Sequence, residues 1–304
     1  MKKKLFISIL DYNGKKNTIK CLQSVDKINT DGIDTTLIVI DNASKDPLHN
    51  EELKTTNIPV VLITNKENLG FAGGHNVGMQ YALDHNADFV LLLNNDTEVN
   101  KNFMTELVKV AIENDSVGAV GSKIYFAKGH EFHKDRYEEK DRGRVFWYAG
   151  GISDWNNVYG LHRGVDLVDV GQFDSIEETD FASGCSILLS AKALKEVGLF
   201  DDRYFLYYED GDLQERIKRA GYKIFYAPAS ILWHINAASS GGSGSPLQDY
   251  YISRNRMLFG FLYAPLKTKF ALLRESLKII LSGREWQKKG VRDFYLKKFG
   301  KGSY

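Results

Sequence analysis

Residues 89–98 read FVLLLNNDTE, five apolar residues followed at once by five polar ones. An unbroken apolar run of strand length points to a strand buried on both faces, as in a parallel sheet. The polar residues then fall at its carboxyl end, where open α/β sheets bind ligands. Working back from it, residues 5–10, 36–40 and 60–64 are further Ile-, Val- and Leu-rich runs, each ending in turn chemistry. Between them, residues 16–24, 47–55 and 76–85 have helical spacing. The alternation predicts an α/β protein built on a doubly wound, mostly parallel sheet flanked by helices.

The second half continues with strands predicted over 117–125, 183–189 and 223–227 and a helix over 212–220. A charged segment, 128–144, reads as a mobile surface excursion. Residues 237–246, with SSGGSGSP at 239–246, have linker composition and are expected to form a loop that orders on binding. Helices over 248–262 and 267–281 close the chain. The expected division is a main domain over 1–262, in halves of about 1–125 and 126–262, with a basic helical extension over 263–304.

Composition narrows the function classes. The chain has 304 residues, 43% hydrophobic and 26% charged, with a net charge of +1, which excludes a whole-surface nucleic-acid binder. The average conceals an asymmetry, because residues 265–304 carry 11 Lys/Arg against 3 Asp/Glu. Interleaved with Phe, Leu, Trp and Tyr, such a tail fits either an anionic membrane surface or a solvated helical face. Two cysteines, Cys21 and Cys185, make no disulfide framework and suit a reducing compartment. The apolar start of the chain is too short for a signal peptide, and no run reaches the 18 to 20 or so residues of a membrane span. A cytoplasmic protein, soluble or peripheral at the inner face of the membrane, is expected.

Every early strand ends in a polar turn: Asp11, Tyr12, Asn13 and Gly14; Asp41, Asn42, Ser44, Lys45 and Asp46; Asn65 and the segment from Asn68 to Gly78; and Asn94, Asn95 and Asp96. One such turn is a loop, whereas four on one sheet edge make a site. At the last, Asp96 is suited to holding a divalent cation against a diphosphate, or equally to capping the next helix. In YEDGDL (208–213), Asp212 suits a helix N-terminus, leaving Glu209 and Asp210 for proton abstraction; the alternative is a wholly capping cluster. His234, ending the strand-like YAPASILWH, is either a metal ligand or a structural histidine. GFAGGHNVG (70–78) matches neither GxGxxG nor the P-loop. It either brings backbone close to a phosphate or packs a helix on the sheet.

In combination, SILDYNG (8–14), VIDNASKD (39–46), NKENLGFAGGHNVG (65–78), LLNNDTEV (92–99), the long segment ASGCSILL…RIKRAGY (182–222) and YYISRNR (250–256) resemble the family 2 glycosyltransferases of the GT-A fold, particularly rhamnosyltransferase-like bacterial members. The resemblance spans roughly residues 4–259 and implies a nucleotide-binding half about 1–125 and an acceptor half about 126–262. It implies a metal-dependent, inverting hexosyltransferase that moves a sugar, rhamnose from dTDP-rhamnose or a hexose from a UDP-hexose, onto an acceptor hydroxyl in surface glycan synthesis. By position, Asn13 and Asp41 hold the nucleotide base and ribose side, with Ser44 and Asp46 supporting that turn. Asn68 and Asn76 frame the donor pocket, and Asn95 lies on the donor side. Asp96 ends the family's Asp-x-Asp motif, whose first position here is Asn94, one charged ligand fewer. With His234 it holds Mn²⁺ or Mg²⁺. Asp210, beside Glu209, is the catalytic base, and Arg254 reaches the diphosphate or an anionic acceptor. The implied acceptor is a glycan, free or lipid-linked, with the basic tail as a peripheral membrane contact. Two rivals from other classes are a sugar nucleotidyltransferase, which would release pyrophosphate, and a non-catalytic scaffold, which would turn over no donor.

Overall fold

The computed structural model describes residues 2–53, 57–235 and 244–304. The first half alternates as expected: β1 (Lys3–Asp11), α1 (Lys15–Val25), β2 (Ile33–Asp41), β3 (Val60–Thr64), α2 (Gly70–Asp84), β4 (Phe89–Asn94), the short β5 (Thr97–Val99) and α3 (Phe103–Ile112). The second half runs β6 (Val117–Phe126), β7 (Phe146–Tyr148), a small hairpin of β8 (Gly151–Asp154) and β9 (Tyr159–His162), β10 (Glu177–Glu178), β11 (Ser186–Ser190), α4 (Ala191–Val197), α5 (Glu209–Arg219) and β12 (Lys223–His234). Three helices follow: α6 (Pro246–Tyr263), α7 (Leu266–Ser282) and α8 (Glu285–Tyr295).

The main sheet runs β10-β12-β6-β11-β4-β1-β2-β3, with β5 beside β12 and β7 beside β6. Strands β3, β2, β1 and β4 are mutually parallel, whereas β11 lies antiparallel between β4 and β6. Along β1 successive side chains enter opposite cores. Leu5, Ile7 and Ile9 face α1 and α3, and Phe6 faces α2, α4 and α5. Both faces are therefore covered, the reason each strand reads as an unbroken apolar run. A third cluster, with Tyr204, Met257, Phe259 and Leu272, seats α6 and α7.

Three expectations need correction. The helix expected over 47–55 is a single 3₁₀ turn, Asn50–Leu53, within the described part. Both Asp41 carboxylate oxygens accept backbone N–H groups there, from Ser44 (2.8 Å) and Leu48 (2.9 Å), and close a turn instead. Segment 128–144 folds back as a closed loop, because the buried Glu131 carboxylate accepts from the amides of Gly129 and Gly143, both at 2.9 Å. The two strand-like stretches between 223 and 234 are one strand, irregular between Ala227 and Ile231 where Pro228 has no N–H to give. The glycine–serine stretch lies mostly outside the described residues. Its end is a helix start, with the Ser245 hydroxyl accepting from Gln248 N (3.3 Å) and Pro246 in the first turn.

The C-terminal residues are built into the fold. Gly290 of α8 lies so close to α6 that a Cβ there would sit 2.3 Å from the Tyr250 carbonyl oxygen. Tyr250 donates its hydroxyl to Asp293, and Arg284 pairs with the buried Asp249.

Candidate active site

The four strand tips meet through side chains. Asp11, fully buried at the end of β1, accepts from Thr18 Oγ1, Ser44 Oγ (3.0 Å) and Asn95 Nδ2 (3.1 Å), so the tips of β1, β2 and β4 share one carboxylate. Gly14 permits this, since a Cβ would stand 2.6 Å from Asn95 Nδ2. Asn13 has φ 56°, the left-handed region that Asn tolerates. Its Oδ1 accepts from Lys45 N and its own N–H donates to Ser44 Oγ, each at 2.9 Å. Asn13, Asp41, Ser44 and Asn95 are thus brought together. Asp46 lies outside, exposed and paired with Lys15.

Asn42 is the hub of the next turn. Its Oδ1 accepts from Asn65 Nδ2 (3.0 Å) and Leu69 N (3.1 Å), while its Nδ2 donates to Asn68 Oδ1 (2.9 Å) and Gly70 O (3.0 Å). Asn68 is therefore held at this edge. Asn76 is spent elsewhere: its amide exchanges hydrogen bonds with both backbone groups of Phe200 and donates to Asp202. The segment 70–78 is the beginning of α2, six residues earlier than expected. Its glycines pack the helix on the sheet. A Cβ on Gly74 would stand 2.6 Å from Leu10, and one on Gly78 2.5 Å from Ser8 Oγ.

β5 pairs antiparallel with β12, His234 opposite Thr97, and this brings Asp96 beside His234. Their side chains meet at 3.1 Å (Oδ1 to Nε2), both largely buried, with the Trp147 ring edge-on to the imidazole. Burial pushes the Asp96 carboxyl up, but the His234 hydrogen bond and charge outweigh it and hold the carboxyl below its ordinary range. His234 Nδ1 is buried with no partner among the described residues. The neighbouring Cys21 thiol is pushed by burial to about 12, which keeps it out of any ligand set at neutral pH. No group of three or more His, Cys, Asp or Glu that could hold a metal ion occurs among the described residues. One carboxylate and one imidazole fit a hard cation that completes its shell with diphosphate oxygens and water, rather than a closed protein cage.

The acidic cluster opens α5. Phe205 (φ 66°), Tyr207 (69°) and Tyr208 (73°) all take the left-handed region just before it. Such backbone is retained only where its surroundings over-determine it. Here Asn255 Nδ2 donates to the carbonyls of Tyr204, Leu206 and Tyr207 at 2.8–2.9 Å. Asp210 emerges from this turn. Its Oδ2 accepts from Gly184 N (3.1 Å) and its Oδ1 from Gly211 N (2.8 Å). Gly184 precedes Cys185, whose carbonyl accepts from Asn94 N (2.9 Å), so the tip of β4 lies one peptide along from Asp210's partner. Asp210 also borders a cavity of about 270 Å³ walled by Trp155, Tyr159, Tyr208 and Phe259. Burial raises its carboxyl above the ordinary range, against the amides of Gly211, Gly184 and Asp210 itself, which lower it.

Glu209 is raised much further, by burial and then by the adjacent Asp210 charge, and its Oε2 has no hydrogen-bond partner among the described residues. It does not border that cavity. Asp212 does not cap α5 with its side chain. It is buried and accepts from Arg216, Tyr204 and Tyr263.

Arg254 requires the plainest correction. Expected at a diphosphate or an anionic acceptor, it is fully buried beside Tyr250 and Tyr251. Its guanidinium donates to Asn255 Oδ1 and to the carbonyls of Arg203, Tyr204, Lys298 and Gly300. It rivets the chain end to the loop that carries Asp210. Asp11, Asn42 and Asn255 were not singled out as site residues from sequence. Asp11 and Asn42 lay in the strand-tip turns, but Asn255 carried no local signal beyond its place in SRNR.

The family model for Glycosyl transferase family 2 matches residues 7–197. The Low-salt glycan biosynthesis hexosyltransferase Agl10 of Haloferax volcanii is 24% identical over 224 residues, 73% of this chain and 66% of that protein. The N-acetylglucosaminyl-diphospho-decaprenol L-rhamnosyltransferase of Mycobacterium tuberculosis is 28% identical over 158 residues, 51% of this chain and 49% of that one. The aligned region thus spans 66% of the first of these relatives and about half of the second. A crystal structure of GalNAc-T7 with UDP, GalNAc and Mn²⁺ aligns with TM-score 0.62 at 18% identity, covering 83% of this chain and 47% of that chain. That likeness is one of fold, the GT-A arrangement of a mixed, mostly parallel sheet between helices. With the family model matched over well more than half its length, the chain belongs to glycosyl transferase family 2.

Proposed function

We propose that the protein transfers a sugar from a nucleoside diphosphate sugar to an acceptor hydroxyl by single in-line displacement, with inversion and with Asp210 as the base. The observation that carries this reading is Asp210 itself, a half-buried carboxylate on the wall of an aromatic cavity, held by the amide of Gly184, whose neighbour Cys185 pairs with the β4 tip that leads to Asp96. A raised carboxyl is the better base near neutral pH, because its conjugate acid is less mismatched with the hydroxyl it serves. Asp210 takes the acceptor O–H proton. The acceptor oxygen bonds to the anomeric carbon as the bond from that carbon to the diphosphate breaks, and the nucleoside diphosphate departs. Aromatic faces such as Trp155 and Phe259, stacked at 5.6 Å, suit the apolar face of an acceptor sugar.

Asp96 and His234 would hold Mn²⁺ or Mg²⁺, which supplies neutralisation of the charge that develops on the departing diphosphate. The cluster of Asn13, Asp41, Ser44, Asn68 and Asn95 is assigned to the nucleotide side of the donor. Glu209 is kept beside the base as an electrostatic neighbour that does not touch the acceptor.

For the donor we favour dTDP-rhamnose and for the acceptor a lipid-linked glycan at the cytoplasmic face of the membrane. The mycobacterial relative, named for rhamnose transfer to a diphospho-decaprenol acceptor, supports the rhamnose and the lipid link. A UDP-hexose is the second reading, favoured by the archaeal relative, a hexosyltransferase aligned over more of the chain. The stereochemical part is tested by NMR of the product. Anomeric configuration opposite to the donor's is expected, and retained configuration would overturn the single displacement.

A further inference from the structure

Helix α7 packs with one face and leaves an apolar one uncovered. Leu266, Phe270, Leu277 and Leu281 are 73%, 69%, 60% and 82% exposed. Ile280 is also exposed and Leu273 half-buried. At 3.6 residues per turn these six side chains share one stripe about 100° wide. The packed side, with Thr268, Leu272 and Ser276, faces away from it. Isolated exposed leucines mean little, but a contiguous stripe marks an interaction surface.

Cations edge the stripe on both sides. By the same periodicity Lys267, Arg274 and Lys278 follow one border and Lys269 the other. The helix's one carboxylate, Glu275, points away from the stripe and is tied to Arg256 at 2.7 Å. Two such faces meeting across a twofold axis would oppose rows of like charge. An anionic bilayer surface complements them, taking apolar side chains between the acyl chains while lysines and arginine reach the phosphates.

We infer that the outward face of α7 is a membrane-docking surface that lies in the plane of an anionic bilayer. The geometry ties it to the proposed site. A cavity of about 290 Å³ backs α7, lined by Leu272, Ser276 and Ile279 with Arg256 of α6. It shares Tyr159 and Ile252 with the cavity beside Asp210. Docked through α7, the protein would hold its acceptor cavity one helix from the lipid. The inference gives a place to the lipid-linked acceptor proposed above, but docking itself does not require that reading.

The test is co-sedimentation of the full chain with vesicles of phosphatidylglycerol and phosphatidylcholine, and with phosphatidylcholine alone. Anionic vesicles should bind it in a salt-sensitive way and neutral ones weakly. Phe270→Glu with Leu277→Glu, both exposed, should cut binding at least about tenfold with the thermal transition and nucleotide release in detergent unchanged. Lys267→Glu with Arg274→Glu should weaken binding to anionic vesicles alone. Equal binding by these variants, or no binding by the unaltered chain, would overturn docking. So would a dimer in light scattering that Phe270→Glu with Leu277→Glu converts to monomer. A loss of transfer to every acceptor with vesicle binding intact would instead count against the proposed reaction.

Discussion

At the residue scale the two adjacent carboxylates of α5 separate by environment. Asp210 keeps two amide donors and a cavity, whereas Glu209 has neither a partner for Oε2 nor access to that cavity. Asp210→Asn cannot accept the acceptor's proton and leaves one of the two amides without its acceptor, and we expect kcat to fall about 10²- to 10⁴-fold in a variant that still unfolds cooperatively in thermal scans. The same raised carboxyl sets a pH dependence. As pH falls through the Asp210 value the base is protonated, so kcat should drop on the acid side at a pH above that of an ordinary aspartate. Stability has its own sign. Glu209 binds its proton more tightly folded than unfolded, so its ionisation costs stability as pH rises from the ordinary carboxylate range through the raised folded value. Glu209→Gln should therefore raise the melting temperature by a few degrees at pH 8, with the gain vanishing near pH 4, as calorimetry across that range would read.

At the element scale, loops are held by side chains distant in sequence. Asn255 on α6 fixes three carbonyls of the left-handed run before α5, and Asn76 on α2 grips Phe200, 124 residues away. Asn255→Ala should cost roughly 2–4 kcal/mol in denaturant unfolding, because several buried carbonyls lose their donor beside backbone that is already strained. Gly78→Val should cost about 1–3 kcal/mol by pressing α2 off Ser8 and Ile40. These are also the features that resist reading from sequence. Strand tips could be found because hydrophobic runs end abruptly at them, as FVLLL does at Asn94. The start of α2 could not, because its four glycines lower helix propensity, and only tertiary neighbours explain them: Phe205 at Gly70, Leu69 at Gly73, Leu10 at Gly74 and Ser8 at Gly78. Arg254 misled for a related reason. A late arginine in an SRNR segment suits an anion, but a partner set made of backbone carbonyls leaves no trace in residue identity.

At the scale of the whole molecule, the mixed sheet gathers the polar strand-tip turns along one edge, and the C-terminal helices brace the loop that carries Asp210. No described helix is long and apolar enough to cross a membrane. The expected boundary at residue 263 does not coincide with a break in packing. Removing residues 285–304 would strip Arg254 of the Lys298 and Gly300 carbonyls and Tyr250 of Asp293. Arg254 would keep Asn255 and the Arg203 and Tyr204 carbonyls, but leaving its other donors unpaired costs on the order of 1–3 kcal/mol. We expect the truncated chain to aggregate or melt far below the full one in light scattering and thermal scans, whereas a separable extension would leave both unchanged.

The central claim, transfer from a nucleotide sugar with Asp210 as base, is met most directly by following nucleoside diphosphate release. The purified chain would be given dTDP-rhamnose and a panel of UDP-hexoses with Mn²⁺ or Mg²⁺, beside Asp210→Asn. We expect release from one donor, dependent on the cation and lost to at least about 10²-fold in the variant. Release that is equally fast in Asp210→Asn, or pyrophosphate as the product, would contradict it.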